Sequence, residues 1–327
     1  MKTAVVILNW NTKGFLEKFL PGLVSSVKGQ DAEVIVADNA STDGSPELMR
    51  SAFPSVPLIP LDRNYGFTGG YNRALEQVDA EYFVLINSDI DVPEDWLEPL
   101  TDYMDSHPEC GICGPKLLSY SQRDSFEYAG AAGGYIDRYG YPFCRGRVLG
   151  KVARDFGQYD TVEDVFWVSG ACLLIRSSLW KALGGLDDRF FAHMEEIDLC
   201  WRAQLAGFRV TCVPASKVWH VGGGTLPQGS PFKLKLNFRN SLLMLDKILP
   251  ATIGRGNARV RIFIRKVLDG CAALLYLIAF RGKDFRAVLD AHREYRSLRK
   301  EQPVKQPVAK GAAVRGLIGG LMLFQKI

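Results

Sequence analysis

Histidine is scarce in this 327-residue chain, at four residues, and the seven cysteines include one close pair, Cys110 and Cys113. A single Cys-x-x-Cys with no second pair and no histidine at finger spacing argues against structural zinc, and the odd, scattered set argues against a disulfide framework. Both features point to a reducing compartment, so a cytoplasmic protein is expected. No apolar run reaches the about 20 residues that a bilayer span requires; the longest, Gly270 to Phe280, falls well short and is only long enough to lie on a membrane. Met1 to Asn9 offers a brief apolar run followed by polar Asn9 and Asn11, which fits a first strand and not a signal peptide. Two nucleotide signatures are missing as well: no Gly-Lys-Ser/Thr follows the glycine-rich stretch, and no Gly-x-Gly-x-x-Gly follows the first strand. ATP hydrolysis and dinucleotide chemistry lose ground accordingly.

Hydrophobic residues make up 47% of the chain, ample for a well-buried core, and the length allows one main domain with an appendage. The reading turns on Leu85-Ile86-Asn87-Ser88-Asp89-Ile90-Asp91-Val92-Pro93. Tyr82 to Ile86 reads as a buried strand that ends in two carboxylates one residue apart. Ligands of open α/β sheets sit at the C-terminal ends of strands, where paired acids can hold a hard divalent cation. Asp is equally favoured in turns and at helix N-caps, so the pair alone decides nothing.

Earlier segments converge on the same edge. Ala4–Leu8 reads as a strand, followed by a helix with Phe15, Leu16, Phe19, Leu20 and Leu23 on one side. Glu33–Asn39 is a second buried strand ending at Asp38, and Ser45-Pro46 starts a helix with proline at its favoured first position. A short strand near Pro57–Leu61 leads into Asn64 through Asn72, whose glycines allow close backbone approach to a ligand. These βα units send Asp38, the Asn64–Gly70 loop and Asp89/Asp91 to one edge of a mostly parallel sheet. An acid after a strand can accept the imide N–H of a uracil or thymine, and the acid pair can hold the metal on a diphosphate.

The second half is read more coarsely. Cys110–Leu118 reads as a strand, and residues 125–164, rich in Gly and Tyr, as loops. Phe166–Arg176 returns to strand character; Ser169-Gly170-Ala171 is small enough for a substrate to approach, while Trp167 either stacks on a sugar or is a core residue. In Glu195-Glu196-Ile197-Asp198, the recurrence of Ile197, Trp201 and Leu205 marks a helix whose other side presents the acids. Acids there also complement a helix dipole, and Asp198 with Arg202 has salt-bridge spacing. A lone histidine is most often structural, but His220 follows the strand Arg209–Val213 and precedes a triple-glycine loop, where a metal ligand beside two aspartates would stand.

These residues together resemble the family 2 glycosyltransferases, the inverting GT-A enzymes, and in particular their bacterial rhamnosyltransferase-like branch. The matching elements, in order, are Val5–Trp10 with Asn11, Asp38 through Ser45, Asn64 through Asn72, Asn87-Ser88-Asp89, Ser169-Gly170-Ala171, Gly184 through Asp187 with Phe190-Phe191, Glu195 through Leu199 with Arg202, and His220. The resemblance implies an α/β fold: a GT-A, Rossmann-like, mostly parallel sheet flanked by helices over residues 1–225. The nucleotide half would take about residues 1–105 and the acceptor half about 106–225, with a basic, mainly helical region over 226–327. It implies Asp38 on the pyrimidine, with Asn9, Asn11, Asn64, Gly66, Gly70, Asn87 and Asp89 around the nucleotide-sugar donor. Asp89, Asp91 and His220 would serve Mg²⁺ or Mn²⁺, and Trp167, Ser169, Gly170 and Asp198 the acceptor. The family usually has Asp where Glu196 stands, so the catalytic base is Glu196 or Glu195. The implied reaction is inverting transfer from a UDP- or dTDP-sugar to a hydroxyl of a saccharide or lipid-linked saccharide, in bacterial cell-surface polysaccharide, O-antigen or capsule synthesis. A non-catalytic relative of the same fold and a nucleotidyltransferase are the rivals.

Residues 251–327 carry 16 Lys and Arg against 5 Asp and Glu, a net of +11, whereas residues 1–250 carry −7. Arginines interleaved with apolar residues from Arg259 to Phe280 fit a membrane surface, here the inner leaflet, better than nucleic acid. A helix packed on the catalytic domain or against a second copy in a homodimer is the plainer alternative.

Overall fold

The computed structural model describes residues 1–148, 150–222 and 229–304, together with 308, 314 and 317–318. Four parallel strands open the chain: β1 (Thr3–Asn9), β2 (Ala32–Asp38), β3 (Leu58–Pro60) and β4 (Tyr82–Ile86), linked by α1 (Lys13–Ser26), α2 (Ser45–Ala52) and α3 (Gly66–Leu75). After β5 (Ile90–Asp91) and α4 (Glu98–Ser106), β6 (Cys110–Ser119) enters the same sheet. Cys110 and Cys113 are buried there as free thiols, as are Cys144, Cys172, Cys200 and Cys212, while Cys271 is exposed.

Residues 125–164 are not simple loops. They contain β7 (Gly134–Asp137), β8 (Pro142–Cys144), β9 (Arg147–Val148), β10 (Lys151–Val152) and β11 (Glu163–Asp164). Pieces of two to four residues are too short to show a period-2 pattern. Next come β12 (Cys172–Arg176), α5 (Ser177–Leu183), a 3-10 turn (Asp188–Phe190), α6 (Glu195–Leu205) and β13 (Arg209–His220). β13 does not stop at Pro214; its register against β6 shifts between Cys212 and Lys217, an irregularity of the kind that admits a proline. The sheet order is β11-β13-β6-β12-β4-β1-β2-β3, with β5 paired to β13. Because β6 and β13 run parallel to each other and each opposes β12 in direction, the end of β13 reaches the edge where β1, β2 and β4 also end.

Beyond the segment 223–228 stand α7 (Pro231–Ile253), α8 (Arg255–Ile278) and α9 (Gly282–Leu298). The helical character expected there is present, but α7 is more than an appendage. Leu242, Leu243, Met244, Leu245, Ile248 and Leu249 are buried in the same apolar cluster as Trp167, Phe190 and Trp201. Fully burying such side chains stabilises by roughly 1.5–3 kcal/mol each, so α7 belongs energetically to the core of the sheet domain. The expected boundary at 225, most of the triple-glycine loop and most of the apolar tail 314–324 lie outside the described residues, apart from Val314 and β14 (Leu317–Ile318), which pairs with β7. Among the described residues no helix is long and apolar enough to cross a membrane.

Candidate active site

The nucleotide edge is built by strand register. Asn9 and Asp38 are partners at the ends of β1 and β2, and Asn9 Nδ2 donates to Asp38 Oδ1 at 2.9 Å. Ser41 N donates to Asp38 Oδ2 at 3.0 Å, so the buried carboxylate is fixed from two sides. Each oxygen keeps a second lone pair for a ligand donor. Thr12 Oγ1 donates to Asn9 Oδ1 at 2.5 Å and also lies 2.8 Å from Ser88 Oγ, tying this corner to the end of β4. Asn11, with φ 54°, accepts from Thr42 N at 2.7 Å and orders the loop after β2.

The glycine loop is held by asparagines. Asn64 Oδ1 accepts from Gly66 N at 2.8 Å and from Asn39 Nδ2 at 3.0 Å. Gly70 lets α3 lie against β1, because a Cβ there would come within 2.7 Å of Leu8. Gly66 has φ +71°, and a Cβ on it would overlap the Phe191 ring and stand 2.8 Å from the Phe191 carbonyl. That carbonyl accepts from Phe67 N and Thr68 N at 2.7 and 3.2 Å, so the glycine loop docks directly on the segment that leads to the second acidic cluster. Gly66→Ala combines a left-handed backbone with this overlap and is expected to cost about 1–3 kcal/mol. Urea unfolding would show the loss, and a donor-binding titration would show weakening beyond what destabilisation alone produces.

At the metal position the structure brings together Asp89, His220 and a residue the sequence did not single out, Glu127. His220 Nε2 lies 3.1 Å from Asp89 Oδ1, and its Nδ1 lies 3.6 Å from Glu127 Oε1, an ion-pair distance and not a hydrogen bond. Burial alone would pull the imidazole down, but Asp89 and Glu127 outweigh it and push the pKa up to about 9. Asn87 Nδ2 is 3.5 Å from the same Nε2. Asp89 and His220, 3.1 Å apart, are the residues that would hold a divalent cation, His220 giving up a proton as it binds. Among the described residues no cluster of three or more His, Cys, Asp or Glu forms a ready-made cage. Asp91 does not join this pair: its carboxylate is ion-paired with Arg123, whose guanidinium covers the Trp219 ring.

The second acidic cluster is entered through a strained turn. Phe191, His193 and Met194 have φ of 63°, 69° and 71°, costly for residues with side chains. Asn240 of α7 holds this turn, its Nδ2 donating to the carbonyls of Phe190, Ala192 and His193 at 2.9, 2.8 and 2.7 Å, and Arg239 donates to Phe190 O at 2.7 Å. The turn delivers Glu195 and Glu196 into the first turn of α6. Gly170 faces them; a Cβ there would lie 3.3 Å from Glu196 Cβ and 3.9 Å from Glu195 Oε1. Each carboxyl has one oxygen, Oε2, sealed from solvent with no hydrogen-bond partner, although Glu196 as a residue is half-buried. Burial raises Glu196 to about 7. Burial and the neighbouring Glu196 charge hold Glu195 well above the usual carboxylate range. Burial thus favours the protonated form of both acids relative to an exposed carboxylate.

Two expected acceptor-side residues lie elsewhere. Asp198 is wholly buried beneath α6, ion-paired with Arg202 at 2.8 Å and Lys247 at 2.6 Å, because the face carrying Ile197 and Trp201 turns it inward. Trp167 is a core side chain whose Nε1 donates to Tyr135 O at 3.0 Å and whose ring leaves room only for glycine at 134. Ser169 is also buried, packed against Gly130, and only Gly170 of that trio fronts the acids. Glu127 and Asn240 lacked a sequence signal: the first sits in a stretch without periodicity, and the second in an otherwise ordinary helix.

Comparison with known proteins places this arrangement. The family described as Glycosyl transferase family 2 matches residues 4–176. The N-acetylglucosaminyl-diphospho-decaprenol L-rhamnosyltransferase of Mycobacterium tuberculosis is 30% identical over 234 residues, covering 66% of this chain and 75% of its own length. Rhamnosyltransferase WbbL of Escherichia coli K12 is 28% identical, covering 66% and 82%. Among solved structures, the mannosyltransferase PcManGT from Pyrobaculum calidifontis, in complex with GDP-Man and Mn²⁺, superposes with a TM-score of 0.55 at 15% identity over 90% of this chain and 86% of that one. Residues 1–349 of S. aureus TarS give 0.53 at 14% identity, over 91% and 92%. At such identities the two structures speak for the fold alone, and it is the GT-A fold.

Proposed function

The chain belongs to glycosyl transferase family 2, and on that premise we propose that it is a metal-dependent, inverting enzyme that moves a sugar, with rhamnose the first candidate, from a nucleotide-diphosphate donor to a hydroxyl of a lipid-linked saccharide in cell-surface polysaccharide synthesis. The decaprenol-linked and rhamnosyl relatives motivate the acceptor and the sugar. The observation that carries the reading is that Gly170, just before β12, faces Glu195 and Glu196 at the sheet edge where Asp38 and the Asp89–His220 pair also stand. Asp38 accepts the pyrimidine imide N–H, which favours UDP or dTDP over a purine. Asp89 and, once deprotonated, His220 would hold the cation, and a donor set that includes an imidazole favours Mn²⁺ over Mg²⁺, which prefers oxygen ligands. When bound, the cation neutralises the diphosphate leaving group. Glu196, half-buried beside Gly170, takes the acceptor hydroxyl proton on its carboxylate as the new bond forms. With the acceptor oxygen attacking the anomeric carbon from the face opposite the departing nucleoside diphosphate, one displacement inverts the configuration. Activated sugars and reduced thiols both belong to the cytoplasm, where we place the reaction.

The test is donor hydrolysis by the purified protein across UDP-, dTDP- and GDP-sugars with Mn²⁺ or Mg²⁺. Metal-dependent release of UDP or dTDP is expected, and release of pyrophosphate from a nucleoside triphosphate instead would overturn the reading. Glu127 is expected to act by orienting His220, as carboxylates behind metal-bound histidines do. Glu127→Ala should weaken Mn²⁺ binding by about 10–100-fold, read by manganese electron paramagnetic resonance with nucleoside diphosphate present, with little change in the temperature of unfolding.

A further inference from the structure

Helix α8 is built inside out. Its inward face, Ala258, Ile262, Arg265, Asp269 and Ala273, has Ile262 as its one large apolar side chain. Arg265 donates to Asp269 at 2.7 Å, to Ser241 Oγ at 2.6 Å and to the carbonyls of Tyr139 and Gly140 at 3.0 and 3.1 Å. Asp269 also accepts from Tyr141 and lies 3.2 Å from His292 Nε2. A helix held to its domain by a satisfied ionic pair has no need to turn its apolar stripe inward, and here the stripe faces out. Val260, Phe263, Val267, Leu274 and Ile278, spaced three, four, seven and four residues apart, lie on one side. They are exposed at 60, 66, 50, 57 and 72%. Phe280, with φ +58°, projects from the turn before α9 and is 99% exposed. An apolar patch of this extent on a soluble surface marks something to be covered.

We propose that this outward face of α8, with the Phe280 turn, is a docking surface for anionic membrane lipid, along which the helix lies parallel to the bilayer. The charges choose between lipid and a second copy of the chain. Arg255 and Arg259, both exposed, border the stripe near its start, and Lys283 and Arg286, also exposed, follow the Phe280 turn. The whole region 251–327 carries a net +11. A two-fold pairing of such faces would set these cations against their own copies, whereas anionic headgroups neutralise them while the apolar side chains enter the acyl boundary. α8 lies on such a surface and does not cross it, as its hydropathy requires. The inference stands on α8 alone and does not depend on the reaction assigned above.

Cys271 stands within the stripe and is the exposed one of the seven cysteines, so the full chain can be labelled there with a polarity-sensitive fluorophore. The label should shift to the blue with vesicles of phosphatidylcholine containing about 30% phosphatidylglycerol, and the protein should float with them and far less with phosphatidylcholine alone. The exposed-site variant Leu274→Gln/Ile278→Gln/Phe280→Gln should lose vesicle binding by at least about tenfold while hydrolysing free donor as before. A protein that stays unbound with an unshifted label on anionic vesicles overturns the proposal. So does a dimer in sedimentation equilibrium that the triple variant dissociates, which would give the face to a second copy. Donor hydrolysis, measured in the same samples, reports separately on the enzymatic reading.

Discussion

Glu196→Gln is expected to lower transfer by about 10²–10⁴-fold, the usual range for loss of a general base, while Glu195→Gln stays within about tenfold of the parent. The contrast comes from the two protonation states. Glutamine resembles a neutral carboxylic acid, the form that burial and the Glu196 charge favour for Glu195. Glu196, raised from 4.5 to about 7 by burial, must be ionised to accept a proton. The rate under subsaturating donor and acceptor should accordingly rise with pH through about 7 and level off above it. Stability moves the other way. A folded-state pKa above the unfolded one means that the folded chain binds more protons between 4.5 and about 7, so this group's contribution is full below 4.5 and lost as pH rises through 7. Glu196→Gln escapes that loss and should unfold at a temperature no lower than the parent at pH 8. A pH–rate series with a parallel thermal melt of both variants checks the two signs together. Equal losses in Glu195→Gln and Glu196→Gln would sink the assignment of roles.

Asp89→Ala is expected to cost about 10²–10³-fold in metal-dependent turnover, comparable to removing one preorganised group from a developing charge. Asp91→Ala should stay within a few-fold, because the Asp91 carboxylate is already committed to Arg123. Both aspartates were expected at the cation, and this pair of variants separates the one beside His220 from the one paired with Arg123. Titrating Mn²⁺ against rate and against the paramagnetic signal would show whether Asp89→Ala weakens cation binding or only slows chemistry. Loss confined to the rate, with binding intact, would move Asp89 off the cation.

Much of this site was readable in advance because βα units fix where chain ends go. Parallel strands of one sheet send their C-terminal ends to one edge, so Asp38 and Asp89, after β2 and β4, share it, whereas Asn9 was expected only from the family resemblance. His220 followed from the same logic at the end of β13, although the strand proved longer than Pro214 suggested. Side-chain direction was less legible. Asp198 and Trp167 carry the chemistry that acceptor sites use, and one-dimensional spacing does not reveal that Lys247 and Arg202 enclose the first or that Gly134 packs on the second. Glu127 and Asn240 act through contacts across more than forty residues of sequence, where no local period exists. The outward stripe of α8 was visible as a pattern, but only the buried Arg265–Asp269 pair shows which side turns to the protein.

The central claim is a single displacement with Glu196 as its one base, and the configuration of the first-formed product tests it most directly. Hydrolysis of the donor that the panel selects, followed by proton NMR in the first minutes before mutarotation, should show the anomeric signal opposite to that of the donor. A first-formed sugar that retains the donor's configuration would require a covalent or front-face route and would contradict the account.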